Sequence, residues 1–142
     1  MCVAVGATGS SGQEGRPGLP AVVERWNGTT WKLDMLQRPG VSLRAVACLT
    51  TKACVGVGQT TNGFDLAQAW NGRRWQAVQT ALPSPTPDAT AGPPYATLNS
   101  VSCSGPGACL GVGSYGEFSR PNPYSSMEDA YSMPLSEAGP LR

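Results

Sequence analysis

Five cysteines, four tryptophans and nine carboxylates are the side chains of this 142-residue chain best suited to chemistry, and no histidine accompanies them. Without an imidazole, Ser-His-Asp and Cys-His nucleophilic catalysis and histidine-ligated metal sites are excluded. The carboxylates stand singly except for Glu128-Asp129, so spacing alone assigns no pair for glycoside hydrolysis. The glycine run "G-A-T-G-S-S-G" at 6–12 opens no helical pattern and reads as a loop, not a phosphate cradle, and no cofactor is expected. The cysteines are better organised. Cys48 and Cys54 lie across five residues, and so do Cys103 and Cys109. A disulfide clipping each pair is the structural expectation, with a four-cysteine zinc site and free thiols as the alternatives; zinc pairs more often sit two to four residues apart. Disulfides imply an oxidising compartment and therefore an exported protein.

The positions that carry these cysteines recur. "S-L-R-A-V-A-C-L-T-T-K-A-C-V-G-V-G" at 42–58 matches "T-L-N-S-V-S-C-S-G-P-G-A-C-L-G-V-G" at 97–113, both L-x-x-V-x-C-x5-C-x-G-V-G. A second unit ends in W-N-G-x-x-W, at 26–31 and again at 70–75. The two units alternate along the chain, with 52 residues from Cys2 to Cys54, 55 from Cys54 to Cys109 and 44 from Trp26 to Trp70. A period of roughly 45–55 residues with about four short strands is that of one blade of a β-propeller. Cys2 aligns with Cys54 and Cys109, the second cysteine of each clip, so the chain is expected to open part-way through a unit. At the far end "P-L-S-E-A-G" at 134–139 aligns with "D-L-A-Q-A-W" at 65–70, with Glu137 in the place of Gln68 and Gly139 in that of Trp70.

Each unit reads as a hairpin. Asn27-Gly28 and Asn71-Gly72 between apolar flanks predict two-residue turns with φ > 0 at both central positions. That register sets Trp26 opposite Thr29 and Glu24 opposite Trp31, so Trp26 and Trp31 are diagonal neighbours on one face with Val22, Glu24 and Leu33, as are Trp70 and Trp75 in the second copy. Four such tryptophans are expected to be core between blades, although a sugar-stacking platform is the other use of the same rings. Asn27-Gly28-Thr29 also matches a glycosylation sequon, but Asn-Gly returns without the threonine at 71–73, which the turn explains and the sequon does not. The glycines of the other hairpin, Gly56, Gly58, Gly111 and Gly113, predict a bulge or a close approach of neighbouring backbone.

Composition agrees with many short strands. There are 18 glycines, 13 prolines and 13% charged residues, poor material for long helices. A formal net charge of +1 supplies no field for nucleic acid. No apolar run approaches the ~18 residues of a membrane span, and no signal peptide is visible. The expected fold is therefore all-β, with antiparallel four-stranded propeller blades in an incomplete propeller of about two to two and a half blades. Residues 1–34 form the second half of a blade, 42–79 a complete blade, 80–96 a Pro-rich connection and 97–142 a partial blade.

Connections vary on one side only. In a four-stranded meander the first and third turns lie at one end, and the second turn and the blade-to-blade connection at the other. The clipped loop and the Asn-Gly turn keep their length, whereas Trp31 to Cys48 spans 17 residues and Trp75 to Cys103 spans 28. The second connections differ as well: "A-T-G-S-S-G-Q-E-G-R-P-G-L-P", "Q-T-T-N-G-F-D" and "S-Y-G-E-F-S-R-P-N-P-Y-S-S-M-E-D-A-Y-S-M-P". In repeat folds insertions gather on the binding face, and Tyr95, Tyr115, Phe118, Tyr124 and Tyr131 all lie in or beside these loops.

The pattern L-x-x-V-x-C-x5-C-x-x-V-G followed by E-R-W-N-G-x-x-W resembles the repeat of secreted actinobacterial β-propeller proteins, over about residues 2–113. The resemblance implies a fold and no agreed activity. A partial likeness to the Asp-box turn of sialidase-type propellers, S-x-D-x-G-x-T-W, rests on Gly28, Thr30 and Trp31; Trp26 stands where that motif has Asp, and Arg74 replaces the threonine in the second copy. Three functional expectations follow: a non-catalytic extracellular module binding a glycan or protein through its variable loops, a fragment of a glycan hydrolase, or a remnant without activity of its own. Self-association through open blade edges is an expected partner mode.

Overall fold

Short apolar stretches punctuated by glycine, proline and asparagine make strands, because alternate side chains can bury on one face while turns satisfy the backbone between them. The computed structural model describes residues 1–7, 21–36, 40–78, 80, 95–116 and 134–138. Among them the chain is all-β: β1 (Cys2–Ala7), β2 (Ala21–Trp26), β3 (Trp31–Met35), β4 (Val41–Thr50), β5 (Ala53–Thr60), β6 (Asp65–Trp70), β7 (Trp75–Val78), β8 (Tyr95–Gly105), β9 (Ala108–Gly116) and β10 (Pro134–Ala138). They form three antiparallel sheets, β1-β2-β3, β4-β5-β6-β7 and β8-β9-β10, every one a simple meander.

The repeat is visible in the register. Cys2 pairs with Trp26 and Cys54 pairs with Trp70, so the two positions aligned in sequence occupy the same place in their sheets. Cys48 lies opposite Cys54 and Cys103 opposite Cys109, and both pairs are disulfides, with Cα atoms 3.9 and 4.0 Å apart. They do not flank a five-residue loop. The strands continue past the cysteines to the pairs Thr50–Ala53 and Gly105–Ala108, leaving two-residue turns beyond. The third sheet departs from the repeat. Glu137 pairs with Cys109, where the alignment would set it opposite Gly111, a slip of two residues. A slip of two residues preserves the alternation of the strand.

The sheets stack. Ala21, Val23, Leu36, Val41, Leu43 and Leu66 make a core between the first and second sheets, with Val3, Val5 and Trp75 against it. Val55, Val57, Ala67 and Leu98 make a second core between the second and third, with Ala45, Val78, Val101, Cys103 and Cys109. The middle sheet is therefore covered on both sides, and its central strands lose the alternation of a half-solvated sheet: five consecutive residues of β5, Cys54–Gly58, are buried.

A bulge builds the outer strand of each hairpin. Register shifts between Leu43 and Ala45, opposite Gly58 and Val57, and again between Leu98 and Ser100, opposite Gly113 and Val112. One extra residue in L-x-x-V turns the leucine and the valine onto the same face although they are three apart. The glycine facing each bulge meets backbone: a Cβ on Gly58 would fall on the Ser42 carbonyl and 2.9 Å from Leu43 Cα, and one on Gly113 would fall on the Thr97 carbonyl and 2.8 Å from Leu98 Cα. The expected close approach is thus located at the last glycine of C-x-G-V-G. Gly56 and Gly111 face the leucine side chains first, at 3.2 and 3.4 Å, with the Trp75 ring and the Ser100 carbonyl farther off at 3.6 and 3.9 Å.

Candidate functional site

The W-N-G-x-x-W units fold differently from the two-residue turn that Asn-Gly predicts. Trp26 pairs directly with Trp31, and Trp70 with Trp75, which leaves four residues between them. Asn27 N donates to the Thr30 carbonyl at 3.2 Å, and Asn71 N to that of Arg74 at 3.3 Å. The reciprocal bond goes to the side chain: Asn27 Oδ1 accepts from Thr29 N at 2.8 Å and Thr30 N at 2.9 Å, and Asn71 Oδ1 accepts from Arg73 N and Arg74 N, both at 3.0 Å. Asparagine here is the residue before the turn, capping it with its amide, and positive φ is confined to Gly28 (110°) and Gly72 (90°). Thr29 Oγ1 also donates to Asn27 Oδ1 at 2.9 Å, so the sequon residues serve the turn.

Direct pairing brings the rings together, with centroids 5.6 Å apart in Trp26–Trp31 and 5.8 Å in Trp70–Trp75, tilted by 44° and 43°. The two copies differ in surroundings. Trp70 is buried, whereas Trp31 is 51% exposed. What covers Trp70 is Arg25 of the neighbouring sheet, whose guanidinium carbon stands 4.2 Å from the ring centroid. Arg25 is itself held by Asp34 through both carboxylate oxygens, Nε to Oδ2 and Nη2 to Oδ1 at 2.9 Å. That hydrogen bond holds the Arg25 pKa above its ordinary value, against partial burial, which lowers it. Neither residue stands out in the sequence, because the contact joins a strand of one sheet to a turn-flanking tryptophan of the next. Arg25→Ala should lower stability by about 2 kcal/mol, the combined loss of a half-buried bidentate pair and a cation–π contact. Arg25→Lys should recover less than half of it, since an ammonium cannot fork onto Asp34; urea denaturation of the three proteins measures both.

Strand directions separate the connections into two ends. The turns at 51–52, 71–74 and 106–107 lie at one end with the turn at 27–30. Gly72 there sits against Lys52, so the two turns of the middle sheet are neighbours. At the opposite end are the strand termini that border segments 8–20, 37–39, 81–94 and 117–133, and the short connection 61–64. Thr61 N donates to the Gly40 carbonyl at 2.8 Å and Ala96 N to that of Gly63 at 2.7 Å, so the short connection ties the entries of β4 and β8 together. Of the aromatic candidates, Tyr95 opens β8 and Tyr115 lies near the end of β9, with Tyr95 opposite Gly116 and Tyr115 opposite Ala96. Phe118, Tyr124 and Tyr131 lie outside the described residues.

Two residues of this end are prominent in the structure and unremarked in the sequence. Phe64 is 39% exposed, with its backbone fixed by bonds between Thr60 N and the Phe64 carbonyl at 2.7 Å and between Phe64 N and Thr60 Oγ1 at 3.1 Å. Asp65 beside it is only 8% exposed, and its Oδ2 has no hydrogen-bond partner among the described residues. The signal was the phenylalanine in "Q-T-T-N-G-F-D", an apolar ring in a tight polar turn where nothing of the repeat requires one. No protein-family model, no curated protein and no solved structure matches this chain.

Proposed function

We propose that the three sheets are successive blades of a β-propeller in an exported protein, and that the end carrying the variable connections binds a glycan without turning it over. The meander order of the middle sheet and the meeting of corresponding faces at both junctions support the propeller. Two disulfides are compatible with an extracellular protein, and among the described residues no helix is long and apolar enough to cross a membrane. The observation that carries the binding reading is the pairing of Phe64 with Asp65 at the variable end. The partly exposed Phe64 ring offers a face to the C–H surface of a sugar, and Asp65 beside it holds a carboxylate oxygen with no partner among the described residues, closed to solvent in this structure. Hydrolysis would need a second carboxylate beside Asp65; binding is the reading we propose.

The test is titration of the full chain against a panel of neutral and acidic oligosaccharides, followed by calorimetry. Saturable binding is expected, weakened at least tenfold (about 1.4 kcal/mol) by Phe64→Ala and by Asp65→Asn. Phe64→Ala should lower the melting temperature only modestly and leave the melt cooperative, because the residue is 39% exposed. If no sugar saturates the chain, or if Phe64→Ala binds as the parent does, the glycan reading fails at this site.

A further inference from the structure

Every sheet has two chemically different faces, and the same two faces meet at both junctions. One face carries the bulge leucine, the cysteine pair, the small glycines and, where present, the tryptophan ladder: Leu43, Gly56, Cys48–Cys54, Leu66, Trp70 and Trp75 on the middle sheet. The other carries small apolar residues, Val55, Val57 and Ala67. The valine face of the first sheet (Val3, Val5, Val23) covers the leucine–tryptophan face of the second. The valine face of the second covers the leucine–cysteine face of the third, through Leu98, Val101 and Cys103–Cys109.

This leaves one face of each kind open. On the first sheet Trp31 is 51% and Leu33 55% exposed, and they share their face with Trp26. On the third sheet Leu110 is 45% and Val112 41% exposed, at the positions that in the second sheet are Val55 at 7% and Val57 at 2%. Val55 and Val57 are buried in the middle of the stack where Leu110 and Val112 are open at its end, and Trp70 is buried and Trp75 partly buried where Trp26 is partly buried and Trp31 open. Apolar surface of this kind, contiguous on a flat sheet face, marks an interaction site.

We propose that a second copy of this chain occupies these faces: the Leu110/Val112 face of one copy docks on the Trp26/Trp31/Leu33 face of the next. The two open faces are the two halves of an interface that the chain already builds twice within itself, so the docked copy continues the existing stack by the same step. The contact is heterologous. Each copy offers one face of each kind, so copies add head to tail until they close a ring or extend a stack. The inference uses sheet packing alone and stands whether or not the variable end binds a glycan.

The experiment is sedimentation velocity on the full chain over a wide concentration range, with two variants. Trp31→Thr/Leu33→Thr removes the first face, and Leu110→Thr/Val112→Thr removes the second; threonine keeps strand propensity at exposed positions. The parent should be oligomeric, as a single closed mass or as a concentration-dependent series. Each variant alone should be a monomer, its self-association weakened at least tenfold, and an equimolar mixture should form a one-to-one dimer and nothing larger. The dimer itself reports that both variants are folded. A parent that stays monomeric overturns the proposal. So does a second-face variant that dimerises on its own, which would mean like faces pair, and so does a mixture that stays monomeric while both variants melt cooperatively.

Discussion

Alanine at Gly58 is expected to destabilise the native sheet stack severely, and alanine at Gly113 to do the same at the pairing of β9 with β8. A Cβ at either position lands on the carbonyl of the bulged partner strand, Ser42 or Thr97, with Leu43 Cα and Leu98 Cα as the next atoms. Overpacking is usually relieved by a side chain that rotates away, at about 1–3 kcal/mol. Here the obstacle is backbone, fixed by ladder bonds on one side and by the bulge on the other, and the strand can yield only by losing its pairing. The cost should exceed about 4 kcal/mol, large against the roughly 5–15 kcal/mol that holds a domain of this size. Gly56→Ala and Gly111→Ala are the controls. Their Cβ atoms would meet leucine methyls at 3.2 and 3.4 Å, which can shift, so about 1 kcal/mol is expected for the first and less for the second. Urea midpoints of the four proteins check the order. If all four alanines cost the same, the close approach is not what the glycines serve.

The contrast among these glycines shows what a sequence conveys and what it does not. Period-two alternation made the faces of each hairpin readable: Trp26, Trp31 and Leu33 share a face in the expected turn and in the observed one, because the two registers differ by two residues and parity survives. The register itself was not readable. Asn-Gly usually places asparagine inside the turn, but the amide of Asn27 can replace its own carbonyl as acceptor, and the turn then moves one residue on. In the same way a repeated L-x-x-V-x-C and a repeated G-V-G are each visible, yet the bulge that connects them exists only when the two strands are paired.

Contacts between sheets were the least legible. Arg25 and Asp34 are two charges among nineteen scattered ones. Only stacking puts their ion pair over Trp70, and only stacking buries Trp70 more deeply than Trp26, which opens the same W-N-G-x-x-W unit. Asp65 follows the same rule: it opens β6, which β8 lies against, an arrangement set by distant strands. The cysteine pairs are the opposite case, since their spacing, their repetition and the hairpin between them all point to one pairing, and that pairing is present.

Those pairs yield the second large effect. Reduction of both disulfides should destabilise the chain by about 4 kcal/mol, because each closes a loop of six residues and such a loop is worth roughly 2 kcal/mol in unfolded-state entropy. The two should not open together. Cys54 is 1% exposed beneath the first sheet but its partner Cys48 is exposed, whereas Cys103 and Cys109 are both partly buried at the edge of the second core. A reductant reaches its target by direct attack on sulfur, so access orders the reaction. Graded reduction followed by alkylation and mass spectrometry should open the Cys48–Cys54 bridge first, through the exposed Cys48, with Cys103 and Cys109 following; the free Cys2 is exposed and labels from the start. Simultaneous labelling of both pairs would mean that opening is global and that the stack protects neither. Stepwise labelling, with loss of the cooperative melt at the second step, would mean that the native stack depends on an oxidising environment, which is the condition an exported propeller meets and a reducing cytosol does not.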